Sequence, residues 1–348
     1  MGSRDVARSA MRGWTLREKV YLAFALLFAA WTYSVWWWQT TTGEIAVIPD
    51  ALRFRKPGVV VILIMQTTFT LERSEERRNG ILMSWGSYRG SGRMRFMPRF
   101  LSQTADPEDE FSYLCLSKTK TECLLDGYQA ALAEFQEELD FVLKVDDVTF
   151  IFPDNLEALL YPISPSEPHA LGNRMCIESR RRSCFLSGGA GFVLSRAAVE
   201  ILLDTWGDHC KDRYSAEGDL RSEDVSISRC LTTAGHVSLE SPRDGESELF
   251  NVFEPVTTIQ GRFHAWFSIY KRNAAITSYG CCSPKSVTYH YVEMPLAEML
   301  WQCHLNMAFC PRSINDWPNH LGGYAHRPKT QEELEKVIKA IQPQMVFD

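Results

Sequence analysis

The 348-residue sequence lacks several features that would place it in a common class. It has no Cys-x-x-Cys spacing, which argues against a zinc ribbon, and no repeat with a period of roughly 20–50 residues. It has no Asn-x-Ser/Thr sequon, so N-glycosylation gives no indication of topology. Basic residues number 37 against 43 acidic ones, and the net charge of −6 is unfavourable for binding nucleic acid. With 45% hydrophobic and 23% charged residues, the composition is that of a globular protein.

Charge is also absent from residues 20–38, an apolar stretch that ends in a cluster of tryptophans. A helix of about 20 such residues crosses a bilayer core, and indole rings favour its interface. The preceding residues are basic, which predicts that the N-terminus stays in the cytoplasm. A cleaved signal peptide and a buried soluble helix are the alternatives. The apolar run is longer than that of a typical signal peptide. It ends in Trp-Trp-Trp-Gln-Thr-Thr-Thr, which is a poor cleavage site because small residues are expected there.

These features predict a single-pass type II protein of the Golgi or another secretory-pathway membrane, with its main domain in the lumen. The predicted organisation is a cytoplasmic tail (1–19), a transmembrane signal anchor (20–38), a stem (39–57), a lumenal domain (58–325) and a C-terminal helical extension (326–348). All ten cysteines follow the anchor. An even number on the lumenal side fits disulfides formed in an oxidising compartment.

Apolar strands and helices alternate beyond the stem. Residues 58–65 are a continuous apolar run, typical of a strand buried on both faces of a parallel sheet. The largely apolar run Phe-Val-Leu-Lys-Val (141–145) is predicted to be another buried strand. Between these two runs, the apolar residues of 121–137 have helical spacing. Ser195 is predicted to cap a helix that ends near Trp206. The alternation predicts an α/β domain that has a mainly parallel sheet with flanking helices.

Two segments are less regular in sequence, and a predicted helix follows near the C-terminus. Residues 86–110 contain Gly, Arg and Pro and are predicted to be irregular, and residues 161–183 are predicted to be rich in loops. Residues 331–341 are predicted to form an exposed C-terminal helix.

Asp146 and Asp147 follow the second apolar run, at the sheet edge where α/β proteins bind ligands. Carboxylates there can hold a divalent metal, and the metal can bridge a diphosphate. The structural alternative is an ordinary pair of aspartates where a strand enters a turn.

Three further features have both a functional and a structural interpretation. The Ser-Gly-Gly-Ala-Gly sequence (187–191) either lets a substrate approach the backbone or forms a tight turn. The pair Glu223-Asp224 either offers a general base or caps a helix. His290, in an apolar run, is either a metal ligand or a structural hydrogen-bonding residue.

The order and spacing of these features resemble those of the core 1 β1,3-galactosyltransferases, a branch of glycosyltransferase family 31 that is related to fringe. The resemblance extends from about Val59 to about Val292. It depends on FVLKVDDVTF (141–150), LSGGAGFVLS (186–195), SEDVSISRC (222–230), YGCCS (279–283) and VTYHYV (287–292). The adjacent cysteines followed by His-Tyr-Val are the part most specific to this branch.

The resemblance implies a GT-A fold, which is a Rossmann-like nucleotide-sugar domain with an acceptor-binding half. It implies an inverting transfer of galactose from UDP-galactose to O3 of a GalNAc on Ser or Thr, with Mn²⁺ on the diphosphate. In that interpretation Asp146 and Asp147 belong to the Asp-rich metal motif, and His290 matches the metal-binding histidine. Asp224 matches the proposed base, which takes the proton of the acceptor hydroxyl.

The resemblance also implies a pocket where the donor sugar meets the acceptor. Gly188, Gly189 and Gly191 would form its floor beside Glu223. Trp266, in the segment that looks like the family's aromatic region near the acceptor, is the candidate for stacking on a sugar. The expected partners are UDP-galactose, a GalNAc-bearing glycoprotein, the membrane and a second copy of the chain in a homodimer, with no nucleic acid.

One departure from the family bears on catalysis. The family motif reads Asp-Asp-Asp, and this chain has Val148 at the third position, where the metal-contacting carboxylate is expected. A valine cannot ligate a hard cation, which requires oxygen donors. Either Asp147 moves to supply the ligand, or His290 and the diphosphate hold the metal weakly, or the protein is a non-catalytic relative. A fringe-like β1,3-N-acetylglucosaminyltransferase is a further alternative.

Four cysteines are candidates for disulfides near this site. Cys210 and Cys230 bracket Asp224, and a bridge between them would fix the loop that bears the base. The adjacent Cys281 and Cys282 are the other two candidates.

Overall fold

The computed structural model describes residues 57–67, 71–102, 109–115, 119–177, 183–211, 222–270, 282–306, 310–317 and 327–341. By its internal contacts the chain divides between Arg55 and Lys56, and all of the described residues belong to the second unit. The predicted tail, membrane anchor and all but the last residue of the stem lie outside them. A search of the described ranges identifies no helix with the length and apolarity that crossing a bilayer requires.

Short strands and helices alternate along the unit. The strands are β1 (Gly58–Met65), β2 (Met94–Ser102), β3 (Ser112–Leu114), β4 (Leu139–Asp146), β5 (Phe150–Ile151), β6 (Ala170–Gly172), β7 (Arg174–Ile177), β8 (Ser183–Leu186), β9 (Phe192–Ser195), β10 (Leu239–Glu240), β11 (Arg243–Asp244), β12 (Ser247–Glu248), β13 (Phe250–Asn251) and β14 (Thr288–Tyr289). The helices are α1 (Leu71–Met83), α2 (Lys120–Phe135), α3 (Pro153–Leu160), α4 (Arg196–Thr205), α5 (Glu223–Thr233), α6 (Pro255–Gln260), α7 (Ala265–Tyr270), α8 (Leu296–Leu305) and α9 (Gln331–Ile341). A π-helical turn, Trp206–Cys210, extends α4.

The central sheet of the described residues has seven strands in the order β10-β6-β9-β4-β1-β2-β3. Strand β1 runs parallel to both of its neighbours, β2 and β4. Strand β9 runs antiparallel to β4 and β6, whereas the remaining neighbours are parallel. The prediction of a mainly parallel α/β sheet with flanking helices is therefore confirmed, and the antiparallel β9 makes the sheet mixed.

Strand β1 shows why the centre of the sheet is stable. Every residue of the strand is buried. Because side chains alternate along a strand, Val60, Ile62 and Ile64 enter one core while Val61 and Leu63 enter the core on the other face. Both faces are covered, and this explains the uninterrupted apolar run in the sequence.

The prediction for residues 86–110 is wrong, because this segment contains β2. The register pairs Val61 of β1 with Met97, and Pro98 and Arg99 follow within the strand. Arg99 is buried, and its guanidinium forms an ion pair with Glu134 on α2. A buried arginine and a proline interrupt the apolar pattern, so the sequence does not reveal the strand. Similarly, residues 161–183 include β6, β7 and the start of β8.

The C-terminal helix has the predicted bounds, but it is not an exposed extension. Leu334, Val337 and Ile341 of α9 are buried within the core on one side of the sheet. Their spacing of three and four residues places them on one face of the helix. That face packs against α6 and α8, so α9 belongs to the same compact unit as the sheet.

The predicted disulfide between Cys210 and Cys230 is present and joins the π-helical turn to α5. Further bridges link Cys115 to Cys123, Cys176 to Cys184, and Cys303 to Cys310. Cys282 is also disulfide-bonded, whereas Cys281 lies outside the described residues. The bridges fit the oxidising environment that the cysteine content predicts.

Replacing both Cys210 and Cys230 by serine is expected to lower the free energy of unfolding by about 3 kcal/mol. A bridge across a separation of 20 residues restricts the unfolded chain by about that amount. Equilibrium unfolding in denaturant, under non-reducing conditions, measures the difference. Equal stability of the double variant and the wild type, or a free thiol at either position in non-reducing peptide mapping, would contradict the assignment.

Candidate active site

Four parts of the chain, including the end of β4 itself, meet at the carboxyl end of β4. Asp146 is the last residue of that strand, and His290 directly follows β14. The glycine-containing turn between β8 and β9 lies beside them, and α5 begins there with Glu223 and Asp224. The edge of the sheet at which the sequence predicts a ligand site is therefore lined by residues from four parts of the chain.

The structure brings Asp146 and His290 together. His290 Nε2 lies 3.6 Å from Asp146 Oδ2, and its ring stacks on Tyr291 with centroids 3.8 Å apart. Lys144 Nζ donates a hydrogen bond of 2.7 Å to Asp146 Oδ1. Burial alone would raise the pKa of Asp146, but Lys144 and His290 together hold that pKa well below its usual range. A lowered pKa favours the ionised form of Asp146, which pairs with Lys144, and metal binding by this carboxylate stays a prediction.

The glycine turn packs directly against these residues. A Cβ at position 189 would lie 2.2 Å from His290 Cε1, and a Cβ at position 188 would lie 3.0 Å from Lys144 Nζ. Gly191 has a φ of +83°, a left-handed conformation that favours glycine. Its amide donates to Gly188 O over 3.2 Å, which closes the turn. The segment is thus a tight turn, as one interpretation of the sequence predicts, and the approach of a substrate to its backbone stays a prediction.

Asp224 lies at the start of α5 and is half-buried. Its Oδ2 accepts a hydrogen bond of 2.8 Å from the Gly188 amide, and its Oδ1 accepts one of 2.8 Å from the Val225 amide. Burial and the neighbouring Glu223 carboxylate raise the pKa of Asp224, against the lowering effect of Gly188, Ser222 and Lys144. A partly accessible carboxylate with a raised pKa is suited to accept a proton.

Asp147 faces a different part of the structure, just beyond the end of β4, where its amide donates a hydrogen bond of 3.0 Å to the Met65 carbonyl. Its side chain is only 2% exposed and lies 3.2 Å from Arg77 NH1. Thr67 donates to it through both its amide and its hydroxyl. Burial raises the pKa of Asp147 despite the lowering effect of Thr67 and Arg77. A metal-binding role for Asp147 stays a prediction, and it would require the carboxylate to leave these partners.

Val148 and Trp266 contact the site only indirectly. The Val148 side chain is buried, and its carbonyl accepts a hydrogen bond of 2.9 Å from the Val292 amide. Trp266 lies half-buried in an aromatic cluster, with its ring centroid 5.6 Å from that of Phe253. Phe253 in turn lies 6.1 Å from Tyr291, the ring on which His290 stacks. Trp266 is thus connected to the site through two aromatic rings.

The described residues contain no group of three or more His, Cys, Asp or Glu side chains placed to hold a metal ion. Of the predicted ligands, only Asp146 and His290 lie together. A carboxylate and an imidazole are both metal-binding groups, but two protein donors would leave the remaining ligands of a metal to come from a bound diphosphate and water.

Sequence reasoning missed Lys144 and Arg77. Lys144 is completely buried among Asp146, Glu223 and the glycine turn. A lone charged residue within the apolar run 141–145 is the signal that could have identified it, since an unpaired lysine is almost never fully buried. Arg77 gives no comparable signal, because its helix contains several charged residues.

Comparison with known proteins supports the resemblance but covers only part of the chain. No family model matches the sequence. A glycoprotein-N-acetylgalactosamine 3-beta-galactosyltransferase 1 of Xenopus laevis is 27% identical over 163 residues, which are 45% of this chain and 43% of that protein. The resemblance to the core 1 β1,3-galactosyltransferase branch is thereby confirmed. The chain matches less than half of the length of this relative.

Two solved structures are similar in outline. One is a glycosyltransferase involved in the glycosylation of the major capsid of PBCV-1, with a TM-score of 0.35, 11% identity, and coverage of 67% of this chain and 93% of that one. The other is the galactosyltransferase LgtC in complex with donor and acceptor sugar analogs, with a TM-score of 0.38, 8% identity, and coverage of 80% and 95%. Scores this low support no argument about this chain.

Proposed function

We propose that this chain is an inverting GT-A glycosyltransferase that moves galactose from UDP-galactose to O3 of GalNAc on Ser or Thr of a glycoprotein. Two findings support the proposal. The first is the similarity to a galactosyltransferase of that specificity. The second, which carries it, is the half-buried Asp224 carboxylate, fixed by the Gly188 amide at the sheet edge where Asp146 and His290 meet.

Asp224 would act as the general base. The acceptor O3 hydroxyl gives its proton to the Asp224 carboxylate as the oxygen bonds to the anomeric carbon, and the bond from that carbon to UDP breaks with its electron pair going to UDP. Direct displacement from the opposite face inverts the anomeric configuration. The raised pKa of Asp224 favours this step, because a base with a higher pKa accepts a proton more readily once it is ionised.

Asp146 and His290 would hold the Mn²⁺ ion, and Asp147 would join them only by leaving Arg77. The metal, when bound, would neutralise negative charge on the leaving UDP. The ionised Asp146 side chain, 15% exposed, provides an oxygen donor for it. Trp266 and the glycine turn would form the acceptor side of the pocket. The enzyme would act in the Golgi lumen, anchored through residues 20–38.

A non-catalytic relative is the second candidate, and Val148 is the observation that favours it. This position supplies no oxygen donor from its side chain, and the adjacent Asp147 carboxylate is engaged by Arg77 and Thr67. A protein of this kind would bind a glycoprotein without transferring a sugar.

Transfer from UDP-galactose to a GalNAc-α-Thr glycopeptide by the full chain in detergent separates these candidates. We expect transfer in the presence of Mn²⁺, loss of transfer in EDTA, and little transfer from UDP-N-acetylglucosamine. Binding of UDP without transfer of galactose would indicate another donor or acceptor. Folded protein that neither transfers galactose nor binds UDP would favour the non-catalytic candidate.

A further inference from the structure

Lys144 has an unusual environment for a lysine. Its side chain is 0% exposed, and its ammonium lies at the junction of β4, the glycine turn and α5. It donates to Asp146 Oδ1 over 2.7 Å, to Glu223 Oε1 over 2.8 Å and to Gly188 O over 3.0 Å. An ammonium has three hydrogens to donate, so these three acceptors satisfy it completely.

Two carboxylates surround the buried ammonium. Asp146 and Glu223 both lie within 3 Å of Lys144 Nζ, at 2.7 Å and 2.8 Å, and form ion pairs with it. A buried charge of this kind is tolerated only when it is paired and hydrogen-bonded, which is the case here.

Two of these contacts reach the residues that hold Asp224. The carbonyl of Gly188 binds Lys144, and the amide of the same residue donates to Asp224 Oδ2 over 2.8 Å. Glu223, the second partner, directly precedes Asp224 at the start of α5. The third partner, Asp146, lies beside His290. One ammonium thus connects both flanks of Asp224 to the end of β4.

We propose that Lys144 is a positioning residue that fixes the Asp224 carboxylate relative to Asp146 through the Gly188 carbonyl and the Glu223 carboxylate. It is not a catalytic residue, because a completely buried ammonium does not touch the substrate. The alternative is that Lys144 only neutralises two buried carboxylates and so stabilises the fold. The inference rests on the proposed function for its catalytic consequence, but the placement of Asp224 can be tested without turnover.

The test compares full-chain Lys144→Arg and Lys144→Met with the wild type, and Lys120→Arg serves as the control at an exposed lysine. Arginine keeps the charge, but its planar guanidinium does not reproduce three donors diverging from one atom. We expect Lys144→Arg to lower kcat on the order of 10²-fold, as a small misplacement of a reacting group does, while KM for UDP-galactose changes less than about threefold. Lys144→Met tests the loss of the charge. If Lys144→Met does not fold, Lys144→Arg still tests the proposal.

Hydrogen exchange of the same variants gives a readout that does not need activity. In Lys144→Arg we expect faster exchange in peptides that cover residues 186–192 and 222–228, with no change in the peptide that covers β1. Unchanged kcat and exchange would overturn the proposal, as would a loss of kcat with equally faster exchange in β1. If the wild type transfers no sugar, the proposed function fails, and local exchange alone then decides whether Lys144 positions Asp224.

Discussion

Replacing Asp224 by asparagine is expected to lower kcat for galactosyl transfer by on the order of 10³-fold, within the range that removal of a general base produces. The amide keeps the shape of the side chain, and its oxygen can still accept the hydrogen bond from the Gly188 amide. It cannot accept the proton of the acceptor hydroxyl. The affinity for UDP should be almost unchanged, because Asp146 and His290 are untouched. Initial rates with a GalNAc-α-Thr glycopeptide and calorimetric titration with UDP measure the two effects.

The matched control is Asp204→Asn, which makes the same chemical change on an exposed position of α4. Its kcat should equal that of the wild type. A variant at Asp224 that retains more than about a tenth of the wild-type rate would contradict a general-base role, given the usual size of such effects. A parallel loss of UDP affinity would instead assign Asp224 to donor binding.

Replacing Gly189 by alanine is expected to displace His290 and to remove most of the Mn²⁺-dependent affinity for UDP. The added Cβ would lie 2.2 Å from Cε1, 2.4 Å from Nδ1 and 2.8 Å from Nε2 of the imidazole. The ring is confined by the stacked Tyr291, so either the ring or the glycine turn must move. Loss of one of two protein ligands to a metal should weaken UDP binding in Mn²⁺ by about tenfold or more, by analogy with defects in metal-site support. Titration with UDP in Mn²⁺ and in EDTA measures the loss.

Gly207→Ala is the control for this prediction. Gly207 lies in the π-helical turn, and a Cβ there would meet no atom within 4 Å. It should bind UDP as the wild type does. If Gly189→Ala binds UDP normally in Mn²⁺, His290 does not contribute to donor binding. If Gly189→Ala loses both UDP affinity and much of its thermal stability, the substitution has disrupted the glycine turn and not only the position of the histidine.

The parts of the fold that could be predicted from the sequence are those determined by local pattern. Strand β1 is a continuous apolar run because both of its faces are covered. Ser195 was predicted to cap α4, and its hydroxyl does accept the hydrogen bond from the Ala198 amide. Strand β2 could not be predicted in this way. Its buried Arg99 is compensated by Glu134, a partner 35 residues away.

In the candidate site, too, some features could be predicted from the sequence and others depend on distant partners. The structure brings together Asp146, Gly189, Asp224 and His290, which lie in the motifs that carry the family resemblance. The motifs do not distinguish Asp146 from Asp147, since two adjacent carboxylates read alike in sequence. The structure separates them, because Asp146 lies beside His290 whereas Asp147 pairs with Arg77. A partner so far away in the sequence cannot be predicted from local patterns.

Because the side chain of Val148 offers no oxygen donor, the proposed sugar transfer would depend on a metal with two protein ligands, Asp146 and His290. A family member with three aspartates has an additional oxygen donor at this position, whereas this chain has a buried valine whose carbonyl is bound by the Val292 amide. Asp146, His290 and Asp224 nevertheless remain together around the glycine turn. The proposed reaction would therefore rely on the diphosphate of the donor to complete the coordination of a bound metal.

The linkage of the product tests the central claim most directly. After incubation of the full chain with UDP-galactose, Mn²⁺ and a GalNAc-α-Thr glycopeptide, nuclear magnetic resonance of the glycopeptide identifies the bond formed. The proposed inverting displacement at Asp224 predicts a β-linked galactose on O3 of the GalNAc, formed from the α-configured donor. An α-linked galactose, attachment at another oxygen, or release of free galactose without any glycopeptide product would contradict the account.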